Sequence, residues 1–187
     1  MSKHQRQLHE ELKKFIVNVS WNHKIQIVYS DILNGYAKWI RIGNILLSAI
    51  VSSGLIYILL SDEYWAKVAT AFVSICVTVL VALKKEFDFE GTSLRVKQDA
   101  NIFWELREEA THLLHVLTYN SDSSESVAVE FNKLVEIRNR KMTELINAPQ
   151  KAVDKASELL KSRRDDDYEE DYKYLIPNNL SDILEEE

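Results

Sequence analysis

The chain has 187 residues, with 4 glycines, 2 prolines, 46% apolar residues and a formal net charge of −6. So few chain breakers point to an all-α protein. The single cysteine, Cys76, leaves no disulfide framework and no cysteine metal cluster. The mean hydropathy of −0.22 looks soluble only because long apolar runs are averaged with a polar majority.

The first predicted element is a long amphipathic helix over residues 5–36. Leu8, Leu12, Phe15, Val19, Asn22, Gln26, Tyr29, Leu33 and Tyr36 recur at steps of four and three, a heptad seam with polar positions in its middle. Ile25, Val28 and Ile32 add a second stripe, so the apolar face is broader than a dimer seam. This helix is expected to run into the next element with at most a bend near Gly35 or Gly43.

Residues 42–60 and 64–83 follow as two apolar runs separated only by Ser61, Asp62 and Glu63. The first has 19 residues without formal charge or proline; as a helix it spans about 28 Å, close to the ~30 Å hydrocarbon core of a bilayer. The second has 20 residues and one charge, Lys67, near its start, where a long side chain can snorkel to the headgroups. So short a link permits only an antiparallel hairpin. Tyr36 and Trp39 before the first run, and Tyr64 and Trp65 at the start of the second, suit interfacial aromatic belts. The alternative is a pair of core helices in a soluble bundle, yet such helices normally keep a polar face toward water. The 41 residues ahead of the first run, and the lack of a cleavage pattern after it, argue against a signal peptide. The chain is therefore read as a two-pass membrane protein whose first partner is the lipid bilayer.

Lys38 and Arg41 precede the first span, Lys84 and Lys85 follow the second, and the tip is acidic. By the positive-inside rule both termini are cytoplasmic. With almost nothing exposed outside, a signal should arrive from the cytoplasm.

Beyond the second span, residues 84–90 are charged, with Phe87 and Phe89 available for the interface. Gly91, Thr92 and Ser93 punctuate the chain, and Thr92 or Ser93 is expected to cap a helix over residues 94–119. Ala100, Phe103, Trp104, Arg107, Ala110, Leu113, Leu114 and Leu117 trace its inward stripe. Residues 120–125 form a polar turn. A further helix runs to about residue 147, with Val127, Phe131, Leu134, Ile137, Met142, Leu145 and Ile146 as its apolar set. Pro149 ends it and opens a short helix through about residue 162. The tail, 165–187, holds ten Asp or Glu against one Lys, a net of −9, which leaves +3 for residues 1–164. It reads as a separate, largely disordered electrostatic unit: a solubilising tail, or one whose Tyr168, Tyr172, Tyr174, Leu175 and Ile176 dock on a partner or on a basic surface of the same protein. The expected organisation is an N-terminal helix (1–38), a transmembrane hairpin (39–85), a cytosolic helical module (86–164) and the acidic tail (165–187).

Catalytic motifs are lacking: there is no Gly-rich phosphate loop, no G-x-S-x-G and no H-E-x-x-H. Glu109 and His112 make one Glu-x-x-His step, but a di-metal bundle needs a second copy and two more carboxylates. No enzyme activity, metal, cofactor or direct nucleic-acid binding is expected. Within the spans, Asn44, Ser48 and Ser52, and then Thr70, Ser74 and Thr78, recur at four-residue steps, giving each span a mildly polar stripe. These stripes either let the helices pack closely or line a pore. Two helices enclose no lumen, so a pore requires homo-oligomerisation.

The order of elements, with Phe103-Trp104-Glu105-Leu106-Arg107, Leu113-Leu114 and Ala148-Pro149 followed by Ala152 and Ala156, resembles the SLATT family over roughly residues 5–160. Those are two-span effector domains associated with nucleotide-signalling and related bacterial conflict systems. The resemblance makes Trp104, Leu106, Arg107, Leu113, Leu114, Ala148 and Pro149 the family-motif positions. It implies an inner-membrane effector that forms pores or disrupts the membrane when a separate cytosolic sensor or nucleotide-signalling protein detects invasion, typically phage, so that death or dormancy protects the population. The competing reading is a membrane-anchored adaptor whose helices and tail recruit a cytosolic partner.

Overall fold

The computed structural model describes residues 3–60, 63–119 and 124–162. Among them are five α-helices and no strand: α1 (Lys3–Leu60), α2 (Tyr64–Phe87), α3 (Phe89–Tyr119), α4 (Ser124–Glu144) and α5 (Gln150–Lys161). The all-α fold expected from composition is the one observed. Residues 61–62 of the hairpin tip, 120–123 of the polar turn and the whole acidic tail lie outside the described residues.

Helix α1 has 58 residues, about 87 Å at 1.5 Å per residue. It continues as one helix through Gly35 and Gly43, where a Cβ would have no neighbour within 4 Å. A helix of this kind draws its stability from packing rather than propensity, and α1 is supported along its length by α2, α3, α4 and α5. Gly54 against Thr70, Ser30 against Ser93 and His23 against Ala100 keep one antiparallel register from the membrane hairpin to the polar helical bundle. Helices α2 and α3 thus form the returning arm of a single long helical hairpin.

The two stripes of α1 meet different neighbours, which explains the breadth of its apolar face. Leu8, Leu12, Phe15 and Val19 join Phe103, Leu106, Ala110 and Leu117 of α3 and Val127, Phe131 and Leu134 of α4 in the main core. Phe15 and Phe131 meet edge to face, with ring centroids 5.4 Å apart. Val28, flanked by Ile25 and Ile32, forms a second core with Ala152 and Ala156 of α5. Both alanines are fully buried; one turn apart and without bulk, they let α5 lie close on α1. The seam of α1 is therefore occupied by the chain's own C-terminal helices.

Two boundaries differ from the sequence expectation. Helix α3 begins at Phe89, not near residue 94, because Asp88 breaks and caps the chain there. Helix α4 stops at Glu144, short of residue 147. Leu145 turns into the main core, Ala148 packs into the α1–α5 core, and extended Pro149 precedes α5.

Candidate functional site: the membrane hairpin and its junction with the helical bundle

The apolar stretches of α1 and α2 turn outward. Ile45, Phe72 and Ile75 are 62%, 66% and 62% exposed, and no residue of α2 is buried. Core helices of a soluble bundle would bury such side chains, so these two helices, long and apolar enough to cross a bilayer, have lipid as their natural solvent. They approach closely at Gly54, where a Cβ would stand 2.5 Å from Thr70 Oγ1. Small residues permit this kind of approach between membrane helices. To one side the spans diverge around an open cleft of about 700 Å³ lined by Leu46, Ile50, Ser53, Tyr57, Ala69 and Val73, among others.

The sequence stripes separate in this geometry. Thr70 and Ser74 are half-buried, and Thr70 faces span 1, whereas Ser48, Ser52 and Thr78 are exposed. Asn44 is half-buried, and its Oδ1 is enclosed without a hydrogen-bond partner among the described residues. Three of the hydroxyls are satisfied within their own helices: Ser52 donates to the Ser48 carbonyl at 2.9 Å, Ser74 to that of Thr70 at 2.8 Å and Thr78 to that of Ser74 at 2.9 Å. Such back-bonding lets hydroxyls enter hydrocarbon without an external partner.

At the end of the hairpin nearest the helical bundle the chain turns on a single residue. Asp88 adopts φ 29° and ψ 54°, the one positive φ among the described non-glycine residues. Aspartate tolerates this region better than most L-residues. Its N–H donates to Lys84 O at the end of α2, and its Oδ1 accepts the Gly91 N–H at 3.1 Å in the first turn of α3. One residue therefore closes one helix and caps the next. A Cβ on Gly91 would stand 2.2 Å from Asp88 Oδ2, so glycine is what permits the capping carboxylate to sit there. Around this turn Arg41 of α1 pairs with Glu90 of α3, and Phe89 packs between Tyr36 and Phe87 at 5.9 and 5.6 Å.

Below the turn, polar contacts tie the arms together. Ser30 and Ser93 are both buried, and each hydroxyl donates to the other's carbonyl, at 3.0 and 2.9 Å. His23 Nδ1 donates to the Ala100 carbonyl at 2.9 Å, which places a proton on that nitrogen. Lys141 of α4 reaches Asp99 of α3 at 2.6 Å. Hydrogen bonding to Asp99, more than any other cause, holds the Lys141 amine above its ordinary value of 10.5.

Residues 8–171 match the model of the SMODS and SLOG-associating 2TM effector domain family 4. The chain belongs to this SLATT family. It is thus a two-transmembrane effector domain of the kind associated with defence systems. No curated protein and no solved structure matches the chain. The match extends beyond the resemblance read from sequence, which ended near residue 160, and takes in residues 165–171 of the acidic tail.

The SLATT motif positions are distributed through the helical bundle outside the spans. Leu106 is buried in the main core, with Leu113 and Leu114 packed against it. Trp104 is half-buried between His23, 5.2 Å away, and the Arg107 guanidinium, 4.8 Å from its ring. Ala148 packs in the second core, and the Pro149 carbonyl accepts the Ala152 N–H at 2.8 Å. Glu109 and His112 line a shallow groove of about 460 Å³ with Glu108 and Glu130. The junction residues Asp88, Arg41 and Glu90, and the Asp99–Lys141 pair, were not anticipated. For Asp88 a local signal existed, an aspartate three residues ahead of a glycine at a charged helix boundary; the ion pairs join distant segments and leave no such trace.

Proposed function

We propose that the protein is a non-enzymatic effector of the bacterial inner membrane, with both termini cytoplasmic, that oligomerises to open a pore or otherwise disrupt the bilayer when a partner sensor is triggered. The observation that carries this reading is the bare apolar hairpin of a SLATT chain, held in one antiparallel register with a four-helix module outside the spans. A change in the module therefore has a direct path to the spans. Lys38, Arg41, Lys84 and Lys85 at one end of the hairpin support the orientation. Ser48 and Ser52, on the open face of span 1, are the proposed lumen-facing residues; Thr70 and Ser74 serve the hairpin's own packing.

The test is membrane potential and growth after induction in a bacterial host, alone and with neighbouring genes plus phage. Rapid depolarisation coincident with growth arrest is expected, and Ser48→Leu with Ser52→Leu should remove it while leaving insertion intact. Toxicity unaltered by that pair of changes would refute the lumen assignment. The second reading, an anchored adaptor, draws on the intrahelical bonding of the span hydroxyls, which demands no aqueous lumen. It predicts an intact potential under every condition.

A further inference from the structure

Where α5 ends, a groove of about 400 Å³ opens between α1, α3 and α5, lined by Ile16, Val17, Ser20, Trp21, Arg107, Leu160 and Lys161. Its charged lining is cationic: Arg107 from α3 and Lys161 from α5, the latter 5.4 Å over the Trp21 ring. Further along α1, Lys13 and Lys14 are balanced by Glu10, 3.3 Å from the Lys13 amine, and by Glu11, so the cationic charge of this face is concentrated at the groove itself. The floor is apolar, and Val17 is 58% exposed within it. A surface that combines cations with an uncovered apolar strip suits an acidic segment carrying an aromatic residue.

Such a segment begins immediately beyond the groove. After Lys161 and Ser162 the sequence reads Arg163, Arg164, Asp165, Asp166, Asp167, Tyr168, Glu169, Glu170, Asp171. Helix α5 runs antiparallel to α1, its Ala152–Ala156 face meeting Val28 and its end meeting Trp21. Along α1 in that direction, Val17 lies one turn beyond Trp21, followed by Lys14 and Lys13. The seven residues from Lys161 to Tyr168 reach at most about 25 Å, and Val17 lies one helical turn, about 6 Å, along α1 from Trp21, so the tether is long enough to reach across the groove. The family match independently includes this stretch, running through α5 to residue 171, which marks these acidic residues as part of the domain.

We propose that residues 165–171 dock in the Trp21–Arg107–Lys161 groove of the same chain, with the aspartates against the cations and Tyr168 over Val17. The contact is an electrostatic clasp that fastens the end of α5 across α1 and α3. It does not depend on the pore reading, and an adaptor would carry the same clasp.

The test is a nitroxide distance measurement on the full chain in lipid nanodiscs, with spin labels beside the proposed contact at Asn18→Cys and Tyr172→Cys in a Cys76→Ser background. A narrow, short distance distribution at about 0.1 M salt is expected. It should broaden near 1 M salt, where the screening length falls from about 10 to about 3 Å. Reversal of Asp165, Asp166 and Asp167 to Lys should abolish it. A control pair at Asn101→Cys and Ser157→Cys, both within the folded bundle and outside the groove lining, checks that the module remains intact. A broad distribution in the parent at low salt overturns the proposal. A narrow one indifferent to both salt and charge reversal overturns the electrostatic basis. Loss of the signal on dilution with unlabelled protein would assign the groove to the tail of another copy and overturn the intramolecular contact.

Discussion

Removing the Lys141 amine should cost far more than removing the ion pair as a whole. Asp99 is only 3% exposed, and its carboxylate has Lys141 Nζ at 2.6 Å. In Lys141→Met the carboxylate stays in the α3–α4 contact without its cation, and breaking a buried pair from one side costs about 3–5 kcal/mol. The Lys141 side chain is 20% exposed, so water reaches the vacated side and the lower value, about 3 kcal/mol, applies. Asp99→Asn with Lys141→Met replaces both charges by groups of similar size and should stay within about 1 kcal/mol of the parent. The assay is hydrogen exchange of α4 amides in nanodiscs, read as a double-mutant cycle. At about 1.36 kcal/mol per decade, the single change should speed α4 exchange by roughly 150-fold. The raised value of Lys141 sets the pH dependence. Its contribution is fully present below the unfolded amine's 10.5 and is lost as pH rises through the higher folded value. Parent protection of α4 should thus weaken in strongly alkaline buffer, and that loss should be missing from the double variant. The reasoning fails if Lys141→Met leaves α4 within about 0.5 kcal/mol of the parent, or if the double variant is as damaged as the single.

Three further outcomes follow from close contacts and orphaned groups. Gly54→Ala should push the spans apart, because its Cβ would meet Thr70 Oγ1 at 2.5 Å; a loss of about 1–3 kcal/mol, relieved by adding Thr70→Ala, is checked by thermal unfolding and by cross-linking between the spans. Gly91→Ala should displace the Asp88 carboxylate from the α3 N-terminus and cost about 1 kcal/mol, seen as faster exchange confined to the first turn of α3. Gln26 is 4% exposed and its Oε1 has no partner among the described residues, so Gln26→Leu should raise the melting temperature, by about 1 kcal/mol of stability, and an unchanged or lowered value would refute this.

What the amino-acid order determined by itself is periodicity and solvent. Two uninterrupted apolar runs with a three-residue link admit few arrangements other than a membrane hairpin, and the 3.6-residue recurrence of Leu8, Leu12, Phe15 and Val19 marks a core face in any context. Even the second stripe, Ile25, Val28 and Ile32, was visible as excess breadth. Its partner was not, since Ala152 and Ala156 look like ordinary helix residues until their lack of bulk is placed against Val28. The polar stripes show the same limit. Four-residue spacing puts Ser48 with Ser52, and Thr70 with Ser74, on common faces, but only the rotation of each helix about its axis decides which face meets the other span. That rotation follows from the Gly54–Thr70 approach and from the register set by Ser30–Ser93. Contacts such as Arg41–Glu90 and Asp99–Lys141 join residues more than forty positions apart, where no local pattern couples their identities. They exist because antiparallel arms of a long hairpin bring distant side chains to the same height.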